Sequence, residues 1–126
     1  MKAKKFSVRA RVRSFVYAFR GLRCLVLEEH NSWIYLIIIV ILIPVGIYLH
    51  LSTTEWALIF LSIGLVLSAE LLNTSIERLS DRVTRDQDPL IGRIKDLSAA
   101  GVLVAAIAAA AVGVVILLPK IINVVL

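Results

Sequence analysis

Apolar residues follow two different rhythms along this chain. Near the start, Val8, Val12, Phe15, Phe19, Leu22 and Val26 recur at steps of four and three, with arginines on the other faces. That spacing keeps all six within about 40 degrees of one line on an α-helix. It predicts a basic amphipathic helix over about residues 6–28, lying in a membrane interface with its apolar face down. Further on, the rhythm gives way to long apolar blocks at Trp33–Leu51, Trp56–Leu79 and Leu97–Leu118. A bilayer core about 30 Å thick needs roughly 20 helical residues, so each block is long enough to cross once. The pattern predicts an all-α membrane protein with three transmembrane helices plus an N-terminal amphipathic surface helix, in a single domain over residues 1–126. Pro44, inside the first block, is tolerated in a spanning helix as a kink.

Composition agrees with the blocks. A chain of 126 residues that is 60% hydrophobic, with mean hydropathy +0.91, is too apolar for a soluble domain of this size. Cys24 is the single cysteine, which excludes an internal disulfide and a cysteine metal cluster. The basic start lacks the apolar core and cleavage site of a secretory signal. Trp33, Tyr35, Tyr48 and Trp56 read as interfacial anchors, and the Ser and Thr residues of the 52–54 segment as caps for the second span. The third block pairs small residues four apart, Gly101 with Ala105 and Ala109 with Gly113. Such pairs let helix backbones approach closely.

Charge sets the orientation. Lys2, Lys4, Lys5, Arg9, Arg11, Arg13, Arg20 and Arg23 precede the first block, and Arg78, Arg82, Arg85, Arg93 and Lys95 surround the link between the second and third. The short link from His50 to Glu55 has no Lys or Arg. The positive-inside rule then places the N-terminus and the second link in the cytoplasm. The net charge of +5 is accounted for by anionic lipid headgroups, without nucleic acid as a partner.

Against this apolar background one segment stands out: Glu70-Leu71-Leu72-Asn73-Thr74-Ser75-Ile76-Glu77, with Asp81 one turn on. Acids inside a membrane are costly and mark functional sites by default. Asn73, Glu77 and Asp81 fall within about 60 degrees of Glu70 around a helix. Glu70 and Glu77 are then about 10 Å apart along the axis, with Asp81 about 6 Å further, the reach of a nucleoside triphosphate and its metal. The stripe is expected to open on the cytoplasmic side, where ATP is available. Glu28 and Glu29 lie just before the first block; being adjacent, at most one is expected to face the stripe. Lys95 and Asp96 are expected near the positive end of the third helix. Pro89 is read as the stop after the second.

Two other readings compete. The stripe could be an ion-paired packing seam with Arg78, Arg82 and Lys95 as partners, or Glu70 could carry protons in a small proton-coupled transporter. Every acid in or beside a span except Glu55 lies toward one side, which favours a one-sided enzyme over a passage. No P-loop or protein-kinase glycine loop occurs, so a soluble-kinase mechanism is excluded.

The stripe, followed by Lys95-Asp96 and preceded by Gly21, Glu29 and Asn31, closely resembles the prokaryotic diacylglycerol kinase family of small integral membrane kinases, over roughly Tyr17 to Val104. The resemblance implies a homotrimer in a bacterial cytoplasmic (inner) membrane, its active sites shared between subunits. The reaction it implies transfers the γ-phosphoryl group of MgATP to diacylglycerol, giving phosphatidic acid, or alternatively to undecaprenol, giving undecaprenyl phosphate. It further implies Glu70 as the general base toward the lipid, Glu29 and Glu77 as ligands of Mg²⁺, and Tyr17, Asn73, Lys95 and Asp96, with Glu29 and Glu77, around the nucleotide. Asp86, Gln87 and Asp88 stand where the family contacts the nucleotide, with different side chains. Glu29-His30-Asn31 with Tyr35, where one branch has Glu-Arg-Asn and a histidine, and Ala10, where another has an arginine, depart from the family pattern.

Overall fold

A computed structural model describes residues 5–126; Lys2 and Lys4 of the basic N-terminus lie outside the described residues. The chain forms four helices joined by short links: α1 (Val8–Glu28), α2 (Ser32–Tyr48), α3 (Thr53–Val83) and α4 (Pro89–Val125). Two of them, α3 and α4, are by themselves long and apolar enough to cross a membrane. The 17 residues of α2 sit at the lower limit of a span. It qualifies only together with α1, from which it is bent by 99°. The three expected crossings are therefore two by length, or three if α1 and α2 are taken together.

Local chemistry explains where each helix starts and stops. Ser7 caps α1, accepting from the Ala10 N–H. The bend before α2 is closed by Ser32, whose buried Oγ stands 2.7 Å from the Glu29 carbonyl oxygen and 2.9 Å from that of Leu25. Trp33 Nε1 donates to the Val26 carbonyl across the same corner, so this residue is a corner brace as well as an edge aromatic. The α2 helix ends at Tyr48, and His50 just beyond its cap adopts φ 53°, a left-handed conformation that usually falls to glycine or asparagine at a helix end. Ser52 and Glu55 form a reciprocal capping box on α3, as the Ser/Thr link predicted.

The second link departs from expectation. Pro89 does not end a helix; it opens α4, and the Asp88 carboxylate accepts from the Leu90 and Ile91 N–H groups. Proline suits this position because the first-turn N–H groups have no helical partner. Lys95 and Asp96 consequently lie about two turns inside α4, beyond the first turn in which the helix dipole acts.

The main packing is the α3/α4 pair, with α1 and α2 touching α3 more lightly. An ion pair closes each end of the pair: Lys95 to Asp81 at one, Lys120 to Glu55 at 3.3 Å at the other. The small core of Leu49, Leu51, Ile59 and Ile116, with Trp56 and Val112 packed on it, sits at the Glu55 end. Trp56 lies so closely over Gly46 that a Cβ built there would be 2.5 Å from the indole Cη2. Gly101 and Gly113, by contrast, have nothing within 4 Å of a built Cβ. Ala105, the partner of Gly101, is buried. Ala106, Ala109, Ala110 and Gly113 leave room for an apolar cavity of about 330 Å³ between α2, α3 and α4. Large apolar side chains from Val8 to Leu126 remain exposed, as a lipid solvent allows.

Candidate active site

The polar stripe is continuous helix from Glu70 through Asp81, so its predicted alignment holds. Glu70, Asn73 and Glu77 are partly buried, while Asp81 is exposed at the end of the row. The Asn73 Oδ1 atom is buried with no hydrogen-bond partner among the described residues. Buried polar atoms are ordinarily satisfied, so this oxygen is available to a donor or cation that the chain does not supply.

Three sets of contacts bring other elements to the stripe. Deepest, the Tyr35 hydroxyl of α2 donates to Glu70 Oε1 at 2.6 Å. Eight residues along α3 from Glu70, the guanidinium of Arg78 gathers the end of α1. It donates to Glu28 Oε2 at 2.9 Å, Glu29 Oε1 at 3.2 Å and Cys24 Sγ at 3.0 Å. The Cys24 thiol in turn faces Glu28 at 3.4 Å. Hydrogen bonding from Cys24 and then from Arg78 holds the Glu28 carboxyl below the usual glutamate range. Finally, Lys95 of α4 pairs with Asp81. Both line an open cavity of about 470 Å³ with Thr84, Asp86, Gln87 and Asp88.

Sequence comparison decides the lineage of this arrangement. The family described as prokaryotic diacylglycerol kinase matches residues 16–117, which span every element of the site. The chain belongs to the prokaryotic diacylglycerol kinase family. Among curated relatives, an undecaprenol kinase of Bacillus subtilis is 38% identical over 108 residues, covering 86% of this chain and 88% of its own. A diacylglycerol kinase of Escherichia coli K12 is 30% identical over 93 residues, covering 74% and 76%. One of Pseudomonas aeruginosa is 39% identical over 94 residues, covering 72% and 68%. The chain is thus a membrane lipid kinase by family.

For a lipid kinase, the fold gathers most of the expected residues but not all. Glu70, Asn73 and Glu77 share one row, Glu29 is tied to α3 through Arg78, and Asp86, Gln87, Asp88 and Lys95 line one cavity. Asp88 is also the α4 cap, which accounts for that carboxylate structurally. Asp96 is exposed outside that cavity. Tyr17 is 58% exposed on α1, with the Arg20 guanidinium 5.7 Å from its ring centroid. Glu28 and Glu29 both reach Arg78, because a long guanidinium spans two adjacent acids at the end of α1. Tyr35, expected as an interfacial anchor, bonds the deepest acid instead. Cys24 and Arg78 form a separate network with Glu28 and Glu29. Their signal in the sequence was weak, since a lone tyrosine, cysteine or arginine beside a span has many ordinary roles.

No group of three or more His, Cys, Asp or Glu side chains is placed to cage a metal among the described residues. That suits Mg²⁺, which is held by one or two carboxylates together with substrate phosphates. Glu77, the free oxygen of Glu29 and the unpartnered Asn73 oxygen are hard donors of the right kind.

Proposed function

We propose that this protein transfers the γ-phosphoryl group of MgATP to the single hydroxyl of a membrane lipid. The observation that carries this reading is the row of partly buried Glu70, Asn73 and Glu77 on α3, with Glu29 held alongside by Arg78. Phosphoryl transfer passes through a loose transition state, so the protein's task is to position and to neutralise charge. Glu70, deepest in the row, takes the proton from the lipid hydroxyl. As that proton leaves, the lipid oxygen forms its bond to the γ-phosphorus and the bond to the ADP oxygen breaks. Glu29 and Glu77 would hold Mg²⁺, which when bound would neutralise charge on the phosphates. Asn73 and Lys95 reach the phosphates, and Asp86, Gln87, Asp88 and Asp96 surround the rest of the nucleotide. Tyr17 covers the nucleotide from α1, which lies in the membrane interface. The site faces the cytoplasm of a bacterial inner membrane, and three copies of the chain complete it.

Diacylglycerol is the acceptor that the family description names. Undecaprenol is favoured by a specific observation: of the three relatives above, the undecaprenol kinase covers the most of both chains. Purified protein with MgATP and each lipid in turn, with phosphorylated product measured, separates the two. Phosphorylation of neither lipid, together with no nucleotide binding, overturns the reading.

A further inference from the structure

We infer that Tyr35 is a positioning residue for Glu70, holding one oxygen of its carboxylate so that the other is presented to the lipid hydroxyl. This rests on the reading of Glu70 as the general base. The Tyr35–Glu70 contact joins α2 to α3 between residues 35 apart in sequence, at 2.6 Å. That length is typical of a hydroxyl bonded to a carboxylate. A phenol in this contact can only donate, so it engages Oε1 and leaves Oε2 without a described partner.

The surroundings explain why such a group is needed. Tyr35 lines the apolar cavity between α2, α3 and α4 together with Val66 and Leu67 of the turn before Glu70. Its hydroxyl therefore stands where apolar lining meets the acidic stripe, and a buried tyrosine oxygen in such a place takes a polar partner. A glutamate on its own explores many rotamers, and ordering it costs entropy each time a substrate arrives. A group already held in reacting geometry spares that cost. No other described side chain performs this task for Glu70. Arg78, two turns along α3, is occupied by Glu28, Glu29 and Cys24, and Lys95 by Asp81.

The test compares lipid phosphorylation by the full-length wild type, Tyr35→Phe, Tyr35→His, Glu70→Gln and the double variant Tyr35→Phe/Glu70→Gln, with melting temperature in detergent measured for each. Tyr35→Phe keeps the ring and removes the donor. It should lower kcat on the order of 10-fold, less than loss of the base itself, with KM for ATP unchanged within about twofold. Tyr35→His, whose ring N–H can donate, should recover most of the rate. In the Glu70→Gln background, Tyr35→Phe should cost nothing further, because the partner it orients is gone. A wild-type kcat for Tyr35→Phe beside an inactive Glu70→Gln overturns the inference while leaving the base intact. So does an equal loss in both backgrounds, or a loss that follows melting and is not recovered by histidine. If Glu70→Gln itself retains the wild-type rate, the assignment of the base falls, and the inference falls with it.

Discussion

At the residue scale, the site is a division of labour among acids that differ in depth and in partners. Glu70 has a phenol for a neighbour, Glu28 and Glu29 share a guanidinium, and Asp81 has an ammonium. Glu77 has no such partner among the described side chains and sits between them, partly buried. An unpaired carboxylate in such a place is suited to a cation brought with the substrate. Glu77→Gln should therefore weaken Mg²⁺-dependent nucleotide binding by about 10-fold or more, while leaving metal-free binding nearly unchanged, as titration calorimetry with and without Mg²⁺ would show. Equal weakening under both conditions would remove Glu77 from the metal. The carboxylates themselves were legible in the sequence, because acids in an apolar block are rare and expensive. Arg78 was legible as a candidate ion-pair partner, though not its particular acids; the contact of Tyr35 was not, because a tyrosine is ordinary beside a membrane and only its partner makes it unusual.

At the element scale, two junctions can be probed separately. The α2/α3 corner depends on Gly46 lying under Trp56. Gly46→Ala pushes a methyl into the indole, and overpacking of this kind costs roughly 1–3 kcal/mol. The melting temperature in detergent should fall, with activity at low temperature largely kept. The α1/α3 junction is electrostatic. Bonding from Cys24, and then from Arg78, favours the ionised form of Glu28 and lowers its titration below the unfolded value. Its contribution to docking is therefore present above the unfolded glutamate value of about 4.3 and is lost as pH falls through the lower folded value. The pair is exposed, so the effect is modest and weakened by salt. Trp33, which braces the adjoining α1/α2 bend, reports on it: in a Trp56→Phe background its fluorescence should change on acidification below about pH 4, and Glu28→Gln should reduce that change. The helices themselves were largely foreseen, but their ends were not always. Pro89 was read as a terminator because proline is disfavoured within helices. It opens α4 because Asp88 supplies the cap immediately before it.

At the scale of the whole molecule, the described chain buries little. Its most buried apolar side chains, Leu25, Ile59, Ala105, Val66 and Ile116, form no extensive core. Tyr17 and Asp96 are exposed, and the proposed homotrimer, with sites shared between subunits, would use them together with the stripe. Native mass spectrometry from detergent should find a species at three times the 13.9 kDa chain mass; a monomer that is fully active would refute the shared site.

The sequence by itself determined the helical class, the membrane setting and the acidic row, since each follows from period and hydropathy along a single helix. Family membership was legible in the order and spacing of residues along the chain, from Gly21 and Glu29 through the row to Lys95-Asp96. Only the tertiary structure decided which side chains from other elements meet that row. The antiparallel passage of the α1 end and α2 along α3 sets Glu29 beside Arg78 and, six residues later, Tyr35 beside Glu70, eight residues back along α3. That register depends on the 99° bend at Ser32 and on helix contacts distant in sequence, which local spacing does not encode.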